Sequence, residues 1–241
     1  MALNKLAGTV AAITGGTRGI GRAIAERLLD EGVRVAICGT TRESVDRALE
    51  DLAGRGELLG EVADVSKLED VQRFVAATMA RFGRIDAFIN NAGVGTFRAA
   101  GDLTPEEWHR MIGVNLTGTY YCCHEILPIF RQQGSGDIVN ISSLAGKNPF
   151  AGGSGYNASK FGLNGFSEAM MLDHRNDGVR VSYVMPGSVA TEFGGHGADV
   201  GADWKIAPED VADVVQMLLE MPRRTTVSRV EIRPSRPARK S

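Results

Sequence analysis

The sequence predicts one α/β domain: a doubly wound parallel sheet of seven strands with helices on both faces. Two observations support this fold class. Seven short runs, most of them rich in Val and Ile, are too short for helices and predict the strands Thr9–Ile13, Arg34–Cys38, Glu57–Val62, Ala87–Asn90, Asp137–Ile141, Val179–Val184 and Val227–Ile232. Longer amphipathic segments separate these runs, and parallel neighbours need such crossover connections. A length of 241 residues suits a single domain of this kind.

Three helix starts can be predicted from their first residues. Ser66–Glu69 and Thr104–Glu107 both have the spacing of a capping box, in which the first and fourth residues cap each other. Pro105 and Pro208 suit the first helical position, where the missing N–H group is not needed.

Composition and charge exclude several function classes. The 27 Lys and Arg residues against 29 Asp and Glu give a net charge of −2, so no overall field draws the chain to nucleic acid or to a membrane surface. Three cysteines without a paired motif, and the absence of a signal peptide or a long apolar run, predict a cytoplasmic protein without a membrane partner or a metal site. Basic residues crowd the C-terminus, so we expect a domain over residues 1–233 and a basic, flexible tail over residues 234–241.

A glycine-rich turn follows the first predicted strand. Thr14–Gly21 contains four glycines spaced over a tight turn and leads directly into a helical pattern. Glycines there allow close approach to a diphosphate, and the N-terminus of the following helix offers free N–H groups and a positive dipole end. This strand–turn–helix context predicts a Rossmann-type dinucleotide site.

The end of the second strand predicts which dinucleotide binds. NAD sites usually have a carboxylate here for the ribose hydroxyls, but no acidic residue follows Ile37 before the next helical pattern begins. Arg18, Arg42 and the hydroxyl of Thr40 could instead bind a 2′-phosphate. We therefore expect NADP(H) as the cofactor.

A tyrosine and a lysine lie four residues apart after the fifth strand. Tyr156 and Lys160 would share one face of a helix, and Ser142 and Ser143 end the preceding strand. A tyrosine with a pKa of about 10 exchanges protons poorly at neutral pH, but a neighbouring ammonium and an oxidised nicotinamide would lower that pKa. The pair suggests general acid–base chemistry at a carbonyl or alcohol oxygen.

Taken together, these motifs resemble the short-chain dehydrogenases/reductases over about residues 5–232. The resemblance rests on six features that occur in the family's order: Thr14–Gly21, Asn90–Gly93, Asn115, Ser143, the Tyr156/Lys160 pair and Pro186-Gly187. Its members are oxidoreductases that transfer a hydride between a nicotinamide cofactor and a carbonyl compound or secondary alcohol.

The resemblance implies a role for each catalytic candidate. Tyr156 would be the proton donor in reduction and the base in oxidation, while Lys160 would lower its pKa and bind the nicotinamide ribose. Ser143 would hydrogen-bond the substrate oxygen, and Asn115 would hold a water beside Lys160 in a proton relay. By the alternation of a strand, Ser142 should point away from this site.

The resemblance also implies the cofactor contacts. Asp64 and Val65 would contact the adenine, Asn91–Gly93 would lie beside the adenosine ribose, and Pro186–Thr191 would receive the carboxamide. With the residues named above, the expected cofactor site comprises Gly15, Thr17, Arg18, Gly19, Ile20, Gly21, Thr40, Arg42, Asp64, Val65, Asn91, Ala92, Gly93, Tyr156, Lys160, Pro186, Gly187, Val189 and Thr191.

Glu192–Ile206 occupies the position of the family's substrate lid, and its glycines predict a mobile flap. His196 within it is a candidate substrate contact. The expected pocket wall consists of Lys147, Phe150, Val189 and Phe193, which suits a medium-sized ketone or aldehyde.

Motif style resembles the NADPH-dependent carbonyl reductases and β-ketoacyl carrier-protein reductases. The latter share a C-terminal Val-Asp-Gly-Gly, whereas Val227–Pro234 here is more similar to relatives that act on small hydroxy acids or diverse carbonyls. Two alternative functions stay open. The protein could be an NADP-dependent hydroxy-acid dehydrogenase, or a non-catalytic redox sensor or scaffold. The family also implies a homo-oligomer, a dimer or tetramer, built on long helices near residues 104–131 and 153–177.

Overall fold

A computed structural model describes residues 5–193 and 203–236 of the chain. Its seven strands are β1 (Val10–Thr14), β2 (Arg34–Gly39), β3 (Leu58–Val62), β4 (Ala87–Asn90), β5 (Gly136–Ile141), β6 (Val179–Pro186) and β7 (Arg229–Ile232). They form one parallel sheet in the order β3-β2-β1-β4-β5-β6-β7, which confirms the predicted Rossmann-type fold. The winding direction reverses between β1 and β4, and ligands of such sheets bind at that point.

Helices cover both faces of this sheet. They are α1 (Gly19–Asp30), α2 (Arg42–Asp51), α3 (Leu68–Phe82), α4 (Pro105–Ile112), α5 (Gly118–Gln133), α6 (Ser154–His174) and α7 (Pro208–Glu220). On one face, Ile24 and Leu28 of α1 pack in a common apolar layer with Val211 and Val215 of α7. On the other face, a second layer includes residues of α3, α5 and α6, for example Phe74, Phe130 and Met170. The two layers bury the sheet between them.

The predicted capping box at Ser66–Glu69 is wrong, because α3 begins at Leu68 and no side chain caps it. The preceding turn is fixed instead by two aspartates. The Asp64 carboxylate accepts hydrogen bonds from the Ser66 N–H (3.0 Å) and hydroxyl (2.7 Å), and the Asp70 carboxylate accepts from the Asp64 N–H at 2.9 Å. The Ser66 hydroxyl thus binds Asp64 in the turn before α3 and does not cap the helix.

The other two predicted helix starts are confirmed. Thr104 and Glu107 form a reciprocal capping box, with bonds of 3.2 and 3.1 Å, and Pro105 is the first residue of α4. α7 begins at Pro208.

The long helix predicted near residues 104–131 is divided into two helices by a wider turn. A π-helical segment, Gly113–Thr117, joins α4 to α5 and contains Asn115. Such insertions of one residue often accompany functional sites. The second long helix is the 21-residue α6, which contains both Tyr156 and Lys160.

Within residues 5–193 and 203–236, no helix is long and apolar enough to cross a lipid bilayer. In the same part of the chain, no cluster of three or more His, Cys, Asp or Glu side chains could hold a metal ion. The three cysteines, Cys38, Cys122 and Cys123, are buried and unpaired by disulfides.

Candidate active site

A cleft of about 1290 Å³ opens at the carboxyl ends of the strands. It brings together most of the predicted site residues: Gly15, Thr17, Arg18, Gly19, Ile20, Thr40, Asp64, Val65, Asn91, Ala92, Gly93, Ser143, Tyr156, Lys160, Pro186, Gly187, Val189 and Thr191. Gly21, Arg42 and Asn115 do not line it. Cofactor-sized space and the predicted chemistry therefore coincide at one edge of the sheet.

The glycine-rich turn fits a dinucleotide diphosphate. Gly15 (φ 64°) and Gly19 (φ 55°) adopt left-handed backbone conformations that glycine tolerates best. A Cβ on Gly21 would overlap the Gly15 carbonyl oxygen and the Asn91 amide, so this glycine serves close packing of α1 instead of lining the cleft. No side chain caps the N-terminus of α1, and its first turn contains no acidic residue. Its N–H groups are thus available to an anion.

The turn is held against β4 by a reciprocal set of hydrogen bonds. The Asn91 side-chain amide donates to the carbonyl oxygens of Thr14 (2.9 Å) and Gly15 (3.0 Å). The Thr14 hydroxyl accepts from the N–H groups of Asn91 (3.1 Å) and Ala92 (3.0 Å). Asn91 therefore fixes the shape of the diphosphate loop in addition to lining the cleft.

The two arginines predicted to bind a 2′-phosphate lie in different places. Arg18 lines the cleft together with Thr40, and its guanidinium forms an exposed ion pair with Glu192 at 3.9 Å. Arg42 is the first residue of α2 and pairs with Asp46 at 3.6 Å, outside the cleft wall. The structure therefore brings Arg18 to the cofactor site and does not bring Arg42 there.

Ser143 and Tyr156 meet at the catalytic end of the cleft. Both line the cleft, the Ser143 side chain favours a lower pKa for Tyr156, and the Ser143 hydroxyl accepts a hydrogen bond from the Ala145 N–H at 3.1 Å. The Ser142 hydroxyl donates in another direction, to the Asn164 side-chain oxygen at 2.5 Å, which confirms the predicted alternation. Ser143 thus lines the cleft together with the phenol, while Ser142 connects the end of β5 to α6.

Burial controls the protonation of the Tyr156/Lys160 pair. Burial raises the pKa of Tyr156 to about 12, partly opposed by the Ser143 side chain, and burial lowers the pKa of Lys160 to about 8. The Lys160 ammonium lies 5.8 Å from the centre of the Tyr156 ring and donates to the Ile141 carbonyl at 2.9 Å. The expected lowering of the tyrosine pKa is thus not a property of the chain alone. The phenol stays protonated at neutral pH, as a proton donor requires.

Asn115 lies just behind the cleft wall. Its side-chain amide donates to the Val94 carbonyl (2.9 Å) and the Ser159 hydroxyl (3.0 Å), and its side-chain oxygen accepts from the Val94 N–H (2.8 Å). A Cβ on Gly93 would lie 3.5 Å from that oxygen and 3.9 Å from the Lys160 ammonium nitrogen. Asn115 and Lys160 therefore both lie on the side of Gly93 toward which a Cβ would project.

The predicted substrate wall is right for Phe150, Val189 and Phe193, which all line the cleft. It is wrong for Lys147, whose ammonium turns away to pair with Glu231 at 2.5 Å. His196 lies outside the described residues.

Sequence reasoning missed Phe97 and Trp204, which also line this end of the cleft. Both lie outside the regular helices and strands, where no periodicity marks a buried face. The one signal that the sequence offers for Phe97 is its place in the loop just after the Asn90–Gly93 motif.

Backbone hydrogen bonds join Ser188 and Ala190 to Ile206, on the two sides of the segment predicted to be a lid. The Ala190 N–H donates to the Ile206 carbonyl (2.9 Å), and the Ile206 N–H donates to the Ser188 carbonyl (3.0 Å). The two ends of the segment are thereby joined next to the residues expected to receive the nicotinamide.

Comparison with known proteins identifies the family. The profile of the short chain dehydrogenase family matches residues 9–199. The chain belongs to the short-chain dehydrogenase/reductase family. Levodione reductase from Leifsonia aquatica is 37% identical over 186 residues, which are 76% of this chain and 70% of that protein.

Solved structures of the family resemble this chain over almost its whole length. A metagenomic short-chain oxidoreductase in complex with NADP is 36% identical, with a TM-score of 0.84 over 96% of this chain and 99% of the other. A variant of the actinorhodin polyketide ketoreductase with NADPH is 30% identical, with a TM-score of 0.86 over 97% and 98% of the two chains. The chain is thus a member of an oxidoreductase family, and these two structural neighbours were solved with NADP or NADPH.

The buried ammonium of Lys160 should give stability a characteristic pH dependence. Between pH 8 and 10.5 the unfolded chain keeps the lysine proton and the native protein releases it, so the free energy of unfolding rises with pH. A shift of this size corresponds to roughly 3 kcal/mol. The free energy of unfolding of the wild type, measured by denaturant titration, should therefore rise across this interval relative to that of Lys160→Met. A constant difference between the two proteins would contradict the assigned cause.

Proposed function

We propose that the protein reduces a carbonyl compound to a secondary alcohol with NADPH, and that Tyr156 donates the proton. The observation that supports this most directly is that the side chains of Ser143 and Tyr156 line the same cleft beside the buried Lys160. Two adjacent hydroxyl donors suit one acceptor oxygen, and a phenol that is protonated at neutral pH suits donation.

In this mechanism the substrate oxygen accepts hydrogen bonds from Ser143 and Tyr156. Bound NADPH supplies the hydride to the carbonyl carbon. Tyr156 transfers its proton to the oxygen, and the phenolate that remains is stabilised by the neighbouring Lys160 ammonium. Burial of the pair excludes water and strengthens this attraction.

Asn115 is a positioning residue in this proposal. Its bonds to Val94 and Ser159 connect the π-helical segment with the loop after β4 and with α6. The Ser159 hydroxyl in turn donates to the Tyr156 carbonyl at 2.8 Å, so the network orients the start of the catalytic helix. We propose that a water held beside Asn115 returns the proton through Lys160.

Replacing Tyr156 by Phe should lower kcat/KM for ketone reduction by about 100-fold or more, because the proton donor is lost. Binding of NADPH, measured by calorimetry, should change little. Tyr183→Phe is a matched control, since the Tyr183 hydroxyl donates to Glu168 (2.6 Å) outside the cleft. Turnover within a few fold of the wild type in Tyr156→Phe would exclude the proposed role.

We also propose that Arg18 and Thr40 select NADPH over NADH by binding the 2′-phosphate, with Arg42 contributing only from a distance. Arg18→Ala should weaken NADPH binding by about 10-fold and NADH binding by far less, since a charge-assisted bond is lost. Arg42→Ala is the internal comparison and should have the smaller effect. Calorimetric titration with both cofactors measures this, and equal losses for NADPH and NADH in Arg18→Ala would contradict it.

A homo-oligomer is the assembly that we propose. Tyr120 of α5 is 48% exposed, and its ring contacts Tyr121, His124 and Phe166, the last from α6. An aromatic surface shared by two long helices is suited to packing against the same surface of a second copy.

Tyr120→Asp should therefore reduce the mass measured by light scattering, because a charge would be buried in the contact. An unchanged mass would exclude this surface as the interface.

A further inference from the structure

Three phenylalanines form an aromatic box around the proposed proton donor. Phe97 lies 5.7 Å from Phe150, 6.5 Å from Phe193 and 5.6 Å from Tyr156, measured between ring centres. Phe193 also lies 5.6 Å from Tyr156. Phe97 is thus the centre of the box, and the reacting phenol is one of its walls.

The rings of the box belong to the cleft and not to the core. Phe97, Phe150 and Phe193 are 36%, 45% and 39% exposed, although all three line a concave site. Each comes from a different loop, and the buried residues Met111 and Ala145 pack with Tyr156 as a separate small cluster. Apolar rings that line a concave site beside a reacting group are suited to binding an apolar ligand.

Two glycines provide the space in which these rings lie. A Cβ on Gly95 would be 2.7 Å from Phe193 and 3.2 Å from Phe97, and a Cβ on Gly153 would be 2.6 Å from Phe150. Neither glycine has a positive φ, so the backbone conformation does not require glycine at these positions. The absence of a side chain therefore serves the placement of the rings.

We propose that the substrate is an uncharged carbonyl compound with a ring next to its reacting carbonyl, and that Phe97, Phe150 and Phe193 bind that ring. This inference rests on the proposed function, because it requires the carbonyl oxygen to reach Ser143 and Tyr156. Aromatic walls favour a ring by dispersion and edge-to-face contact. A carboxylate among these phenyl rings would lose its hydration without gaining a partner from them.

The test compares two diketones that differ in one group, 1-phenylpropane-1,2-dione and butane-2,3-dione, in the presence of NADPH. The wild type should reduce the phenyl compound with a kcat/KM about 10-fold or more above that of the methyl compound, because the phenyl ring is removed from water. Pyruvate and phenylglyoxylate, which carry a carboxylate, should be reduced more slowly than either diketone.

Variants of the box should change this ratio of kcat/KM values. Phe97→Leu removes the central ring, and Gly95→Ala displaces Phe193 without touching a reacting atom. In both, the preference for the phenyl compound should fall by about 10-fold. Phe161→Leu is the matched control, since Phe161 is 45% exposed on α6 and does not line the cleft. Its ratio should equal that of the wild type.

Equal kcat/KM values for the two diketones, a preference for either carboxylate, or a ratio that Phe97→Leu leaves unchanged would each overturn the inference. Absence of turnover with every compound would contradict the proposed function instead.

Binding to Tyr156→Phe loaded with NADPH then decides the inference separately. Calorimetric titration should show the phenyl diketone binding about 10-fold more tightly than butane-2,3-dione, and this difference should disappear when Phe97→Leu is added. Equal affinities would reject the aromatic box as a ring site.

Discussion

The attachment of the glycine-rich turn to β4 is the constraint on which the rest of the site depends. Four hydrogen bonds between Thr14, Gly15, Asn91 and Ala92 join the two strands at which the sheet reverses its winding. They aim the N-terminus of α1 at the cleft and, through the next residues of the loop, place Gly93 beside both Asn115 and Lys160. The cofactor cradle and the catalytic residues thus both depend on the position of the same short loop after β4.

Burial has opposite consequences for the two titratable groups beyond this junction. It keeps the phenol of Tyr156 protonated and makes the ammonium of Lys160 costly to retain. A single group would simply become neutral in such surroundings. The two groups lie on one face of α6, so the lysine ammonium attracts the phenolate that forms when the tyrosine loses its proton. The buried arrangement is therefore suited to a transient phenolate.

The sequence was sufficient to predict the seven-stranded, doubly wound parallel sheet and most of the cleft wall, since these follow from periodicity and from motifs at strand ends. The remaining features depend on contacts that no local pattern records. Ser66 fails as a cap because Asp64 already binds it, and Lys147 leaves the cleft because Glu231 of the edge strand is within reach. The role of Phe97 could not be predicted, because its aromatic partners come from three other parts of the chain.

The backbone bonds between Ser188, Ala190 and Ile206 have a further consequence for how the protein could change over evolutionary time. They join the two sides of the segment predicted to be a lid. A change in the length or composition of that segment therefore need not alter the register of the sheet. Extending a loop whose ends are already joined costs little, because the entropy of closure grows only slowly with length. New substrate walls could therefore be acquired by replacing this segment while the strands, the cofactor cradle and the proton donor stay as they are.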